Sequence, residues 1–193
     1  VRGVHHIGPV QAVRMTLHRD LLETLGIPSE HNIHYYLNEG GYLSVPSYIW
    51  SKVGPHAAAL ALRTRHAMIR GKAYSGKLDF GPTGNKLVWG LRYTSPDGDT
   101  ITLRNLGTTE FPIQLSIAGG DKVELMDSFG NSRTVQTEGG KLTVSTTPLP
   151  TYLRLAKGQS ATPVAIDYGR NMASEATITY SAESTGEPDW LTN

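Results

Sequence analysis

Lys86-Leu87-Val88-Trp89-Gly90-Leu91-Arg92-Tyr93, then Ser95-Pro96-Asp97-Gly98-Asp99, then Thr100-Ile101-Thr102-Leu103-Arg104-Asn105-Leu106 is the stretch whose reading decides the fold. Two runs rich in β-branched and aromatic residues flank a turn in which proline presets φ, aspartate can bond its own backbone and glycine supplies unusual φ values. The pattern predicts a β-hairpin. Further strands are predicted over residues 112–117, 122–126, 133–137, 141–145 and 152–155, separated by Gly119-Gly120, Gly130-Asn131 and Gly139-Gly140. Seven or so short strands with frequent turns and little helix predict an antiparallel β-sandwich from Tyr74 onward.

Before Tyr74 the texture is different. Val13, Leu17, Leu21, Leu22 and Leu25 lie on one face of a helix, which Gly26 and Pro28 end. Ile33-His34-Tyr35-Tyr36-Leu37 reads as a strand, Asn38-Glu39-Gly40-Gly41 breaks it, and a second short strand is expected around Tyr48-Ile49-Trp50. Gly54-Pro55 opens another helix with proline at its first position, and Ala57-Ala58-Ala59-Leu60-Ala61-Leu62 is apolar all round, as for a helix between layers. Helix, strand, loop, strand, helix is α/β texture; in a (β/α)8 barrel it would be the last one and a half repeats. The expected fold class is therefore mainly β: an antiparallel β-sandwich (74–156) preceded by the α/β tail of a truncated (β/α)8 barrel (1–73), with a linker and the start of a third domain over 157–193. Because the sequence opens at Val1 without a leader and stops at Asn193, we expect both ends to be cut.

Composition narrows the function. Eighteen basic against 17 acidic residues give a net charge of +1, so nucleic acid and an anionic membrane surface are not expected as partners. No apolar run reaches the roughly 20 residues of a membrane helix. Cysteine is absent, which removes disulfides, thiol catalysis and thiolate metal sites. His5-His6 and the pair His31 and His34 do not complete a zinc-ligand spacing, so no metal is expected. No nucleotide-binding or nucleophile-elbow motif occurs, and no cofactor is expected.

Val123-Glu124-Leu125-Met126-Asp127-Ser128-Phe129-Gly130-Asn131, then a strand, then Gly140-Lys141-Leu142-Thr143-Val144-Ser145, then Leu149-Pro150-Thr151-Tyr152-Leu153, resembles the small C-terminal β-sandwich beside the catalytic barrel of clan A glycoside hydrolases. Asp127, Gly130 and Asn131 are read as turn formers rather than sugar contacts. Gly169-Arg170-Asn171-Met172-Ala173-Ser174 and the alternating residues after it resemble the opening of a discoidin-like, galactose-binding jelly roll.

The hydrolase resemblance implies a secreted or cell-surface protein acting on polysaccharide, with the sandwich bracing the barrel. Active sites of such barrels lie at the C-terminal ends of the strands. If residues 33–37 are the seventh strand, Glu39 sits where clan A enzymes carry their carboxylate nucleophile. The competing reading of Glu39 is a solvated loop carboxylate beside two glycines. Retaining hydrolysis needs two carboxyl groups about 5–5.5 Å apart, so the acid would come from a strand before Val1, and this chain alone is expected to be inactive. Tyr42 and Trp50, on or after the loop, are the candidate rings for stacking on sugar C–H faces. The alternative is a non-catalytic extracellular glycan-binding or adhesion protein.

Overall fold

The computed structural model describes residues 9–27, 50–51, 54–55, 57–107 and 109–166. They form three layers: a pair of helices, a six-stranded antiparallel sheet, and a three-stranded antiparallel sheet. The helices are α1 (Pro9–Thr24) and α2 (Ala57–Ile69), with the short ribbon β1 (Trp50–Ser51) and β2 (Gly54–Pro55) just before α2. Then follow β3 (Ala73–Lys77), a helix of about two turns, α3 (Gly81–Leu87), β4 (Val88–Thr94), β5 (Thr100–Asn105), β6 (Phe111–Ala118) and β7 (Lys122–Met126). The described chain closes with β8 (Ser132–Gln136), β9 (Lys141–Thr146), β10 (Thr151–Arg154) and β11 (Ser160–Pro163). The large sheet runs β3-β4-β5-β10-β7-β8 and the small one β11-β6-β9.

The hairpin that anchors the sequence reading is present. β4 pairs with β5 from Val88 opposite Asn105 to Tyr93 opposite Thr100, and Gly98 N–H closes the turn on Ser95 O at 3.2 Å. Gly98 has φ +130°, and a Cβ there would sit 2.3 Å from Leu155 O, so the turn requires glycine on both counts. The Asp127 turn also forms as read: Asp127 Oδ1 accepts from Phe129 N–H at 2.8 Å and Asn131 N–H at 3.0 Å, and Oδ2 from the Asn131 amide at 2.7 Å.

Between the sheets lies the main core, built from alternate residues of both inner faces: Val88, Ile101, Leu103, Val123, Leu125 and Leu153 against Ile113, Leu115, Ile117, Leu142 and Val144, with Phe80 inserted from the loop before α3. Each such side chain contributes about 1.5–3 kcal/mol when fully buried. β6 and β9 alternate between buried and exposed, as strands with one solvated face should. β5 does not. All six of its residues are buried, because Ile101 and Leu103 face the core while Thr100, Thr102 and Arg104 face the helix layer.

Four details differ from the sequence reading. Lys86 and Leu87 belong to α3 rather than to a strand; Asp79 Oδ1 accepts from Gly81 N–H (2.9 Å) and the Asn85 amide (2.7 Å), and these local bonds fold a segment whose Gly and Pro content argues against helix. Gly54-Pro55 is paired with β1, Pro55 opposite Trp50, so α2 starts at Ala57 and Pro55 lies outside its first turn. Residues 160–166, read as part of a linker and further domain, complete the sandwich: β11 pairs with β6, Ala161 is fully buried, and Ile166 N–H bonds Phe80 O at 2.8 Å.

The fourth concerns α1. It ends as expected, with Gly26 at φ +68° and the paired bonds Ile27 N–H to Leu22 O (2.9 Å) and Gly26 N–H to Glu23 O (3.0 Å). Its fully buried stripe, however, is Ala12, Thr16 and Asp20, whereas Leu21 and Leu25 remain 38% and 69% exposed. Small residues let the helices approach: Ala12 packs on Ala58 and Ala61 of α2, and Thr16 returns its hydroxyl to Ala12 O at 2.8 Å. The proposed strand over 33–37, and the discoidin-like stretch from Gly169 on, lie outside the described residues.

Candidate functional site

Glu39 and Tyr42 lie outside the described residues; Trp50 is placed in β1, opposite Pro55. Among the described residues no group of three or more His, Asp or Glu side chains is arranged to hold a metal ion. What the structure does bring together is a polar junction between the helix layer and the large sheet, which the sequence reading did not single out.

Asp20 and Glu23 are three apart on α1 and share a face; Arg65 comes from the middle of α2; Tyr93, Arg104 and Tyr152 come from the outward faces of β4, β5 and β10. Arg65 Nε donates to Asp20 Oδ1 at 3.0 Å, and its Nη2 to Glu23 Oε2 at 2.7 Å. Arg104 Nη2 stands 2.8 Å from Asp20 Oδ2, an ion contact rather than a well-aligned hydrogen bond. Tyr93 donates its hydroxyl to the same Glu23 oxygen and accepts from Arg65 Nη2 at 3.3 Å. Two carboxylates and two guanidinium groups therefore close a neutral set.

Burial dominates its electrostatics. It pushes the Asp20 carboxyl up, against the pull of Arg104 and Arg65. It pulls the Arg104 guanidinium down, with Asp20 acting in the opposite direction. For Arg65 burial also works downward, but the charges of Asp20, Tyr93 and Glu23 outweigh it and the group is held above its usual value. Burial pushes both the Tyr93 and Tyr152 phenols up, so each stays a neutral hydroxyl. Every charged member of the set keeps an opposite charge in contact, which is the condition for tolerating ions away from water.

Asp20 and Glu23 are a carboxylate pair, but not a hydrolytic one. Both Asp20 oxygens are held by arginines with the side chain 2% exposed, which leaves no room for a sugar or an attacking water. The arrangement fastens two helices to a sheet. Around it the contacts continue: Thr100 donates to Met68 O of α2 at 3.0 Å, Arg154 pairs with Glu124 at 2.9 Å and its Nη2 lies 3.3 Å from Met68 Sδ, and Ser128 ties the Asp127 turn to Pro150 O at 2.6 Å. A signal was available. Asp20 and Glu23 continue the small-residue stripe of Ala12 and Thr16, and a charged residue on a stripe of that kind needs a partner from the facing layer.

No protein-family model and no curated protein matches the chain. Solved structures similar to it at low identity include two glycoside hydrolases. A family 39 glycoside hydrolase from the gut symbiont Bacteroides cellulosilyticus WH2 aligns with TM-score 0.50 and 16% identity over 59% of this chain and 23% of its own. A GH30 endoxylanase from Clostridium papyrosolvens C71 aligns with TM-score 0.43 and 15% identity over 53% of this chain and 28% of its own. The chain thus spans about a quarter of the length of either structure. The first likeness shows the fold: a mainly antiparallel β architecture that matches the C-terminal β domain of glycoside hydrolases.

Proposed function

We propose that the chain is the C-terminal portion of a secreted glycoside hydrolase acting on polysaccharide, in which the sandwich braces the helices of the catalytic barrel. The observation that supports this reading best is the Asp20–Arg65–Arg104 junction, with ion contacts of 3.0 and 2.8 Å that bind α1 and α2 to β5. A free-standing sandwich would leave the outward face of its large sheet to water, whereas here Tyr93, Thr100, Thr102, Arg104 and Tyr152 are all buried beneath helices. In this reading residues 1–73 end the barrel, and the residues after Ile166 begin a galactose-binding jelly roll.

On the same reading Glu39 is the nucleophile of a retaining mechanism, paired across about 5–5.5 Å with a general acid from an earlier strand, and Tyr42 and Trp50 stack on the sugar. The test is to express the protein with the sequence that precedes Val1 and assay release of reducing ends from a panel of polysaccharides, alongside Glu39→Gln. Hydrolysis by the wild type and its loss in Glu39→Gln are expected. Binding of a glycan with no hydrolysis by the wild type would replace the enzyme by a glycan-binding or adhesion protein.

A further inference from the structure

We infer that the cleft where the C-terminal ends of α1 and α2 meet β3 and β4 is a glycan-binding site, taking one neutral sugar ring through the Glu23 carboxylate and the Tyr74 ring and hydroxyl. The cleft has a volume of about 370 Å3, with Glu23, Ile27, Ile69, Lys72, Tyr74 and Tyr93 in its wall. That lies within the ordinary range of about 300–1,000 Å3 for small-ligand sites.

The chemistry of the wall selects the ligand class. Glu23 is held in place because its Oε2 takes both Arg65 and Tyr93, and among the described residues nothing donates to Oε1. It is an oriented acceptor. Tyr74 leans on Tyr93 with ring centroids 5.8 Å apart at 57°, and its hydroxyl bonds no described residue. Burial, helped by the charge of Glu23, pushes that phenol up, so it remains a neutral donor and acceptor.

Charge disfavours the ionic alternatives. Glu23 is already matched by Arg65 at 2.7 Å, so the cleft has no uncompensated negative charge for a cation. Lys72 commits its ammonium to Ser95 Oγ at 3.1 Å and to Gly98 O at 2.5 Å, which leaves one of its three N–H donors for an anion. Ile27, Ile69 and the Tyr74 ring supply apolar surface. A ligand that presents hydroxyl donors on its edge and C–H groups on its face fits all of these, and a pyranose does so.

The ligand class rests on the reading of the chain as part of a glycan-acting protein, but its test does not use hydrolysis. The full 193-residue chain is titrated with methyl β-glucoside, methyl β-galactoside and methyl β-xyloside while backbone amide shifts are followed by NMR. At least one sugar is expected to saturate with a dissociation constant of about 1–10 mM, its largest shifts falling on Ile27, Lys72 and Tyr74. Tyr74→Ala should weaken binding by about tenfold through loss of the ring. Tyr74→Phe, which keeps the ring and leaves the junction untouched, should weaken it by about threefold through the hydroxyl alone. Absence of saturable shifts at the cleft with all three sugars, or binding unchanged by Tyr74→Ala, would overturn the site. An active hydrolase with a silent cleft loses this site and keeps its proposed function; a saturable cleft in a protein without hydrolysis does the reverse.

Discussion

Arg104 of β5 and Asp20 of α1 meet at 2.8 Å with their side chains 3% and 2% exposed, the more deeply buried of the two ion pairs that Asp20 makes among the described residues. Burial of this kind gives little net stability when complete and costs a great deal when half is removed. Asp20→Leu would leave Arg104 with no carboxylate in contact and Arg65 with Glu23 alone, and is expected to destabilise the fold by about 3–5 kcal/mol. The double variant Asp20→Leu with Arg104→Leu removes both charges and should recover a large part of that loss. Urea denaturation of the single variants and the double variant measures the coupling; strictly additive losses would deny the pair any role in holding the layers together.

β11 makes a second expectation. Ala161 is fully buried, Val164 N–H bonds Gln114 O at 2.9 Å, Ile166 N–H bonds Phe80 O at 2.8 Å, and Arg92 Nη2 donates to Ala161 O. Chains ending at Ile166 and at Leu155 should therefore differ sharply. The first keeps both sheets closed; the second strips the edge from β6 and opens the core around Phe80, Leu115 and Ile117. The shorter chain is expected to bind a hydrophobic dye and lose near-ultraviolet circular dichroism while keeping far-ultraviolet signal. Equal cooperativity of the two chains would put the end of the sandwich before Ser160.

The strands were legible because their two main cues agree: alternation and glycine-rich turns. The hairpin at Asp97-Gly98 and the Asp127 turn stand where residue chemistry puts them. What was not legible depends on the neighbouring layer. Thr100, Thr102 and Arg104 alternate with Ile101 and Leu103 as a solvent face would, and only the helices above them turn that face into an interior. On α1 the leucines draw attention, yet the helix buries Ala12, Thr16 and Asp20, because close approach to Ala58 and Ala61 favours small side chains. Ser160-Ala161-Thr162-Pro163 has almost no apolar signal and becomes a strand through pairing with β6. Of the candidate site, Glu39 and Tyr42 lie outside the described residues, and the junction itself was missed for the reason that hid the burial of the outer face of β5: its partners are distant in sequence.

Two glycines separate backbone conformation from space. Gly98 has φ +130° and its Cβ would fall 2.3 Å from Leu155 O, whereas Gly139 has φ +57° with nothing within 4 Å. Gly139→Ala is expected to cost about 1–2 kcal/mol, the price of a left-handed backbone alone. Gly98→Ala adds a clash with main chain that cannot swing aside, and should cost at least about 3 kcal/mol. Thermal denaturation of both variants would show it; equal losses would mean that the approach of Leu155 to the β4–β5 turn relaxes without penalty.

The Asp127 turn carries a pH dependence of definite sign. Partial burial of this carboxyl works against its charge, but the donors on Asn131, Phe129 and Gly130 outweigh burial and hold it below the usual carboxylate range. An acid whose pKa is lower folded than unfolded adds stability that is present above the unfolded value, about 3.9, and is lost as pH falls through the folded value. Asp127→Asn keeps the shape of the side chain and one acceptor but removes the charge. At neutral pH it should destabilise the chain by about 1–2 kcal/mol, the usual worth of hydrogen bonds to a charged group less what the amide retains. The two proteins should converge as pH falls through the folded value and the wild-type carboxyl becomes protonated. Urea denaturation of both across that range gives the difference directly. A gap that stays constant from neutral to acid would assign the turn's stability to shape alone, and the carboxylate charge would then have no part in joining β7 to β8.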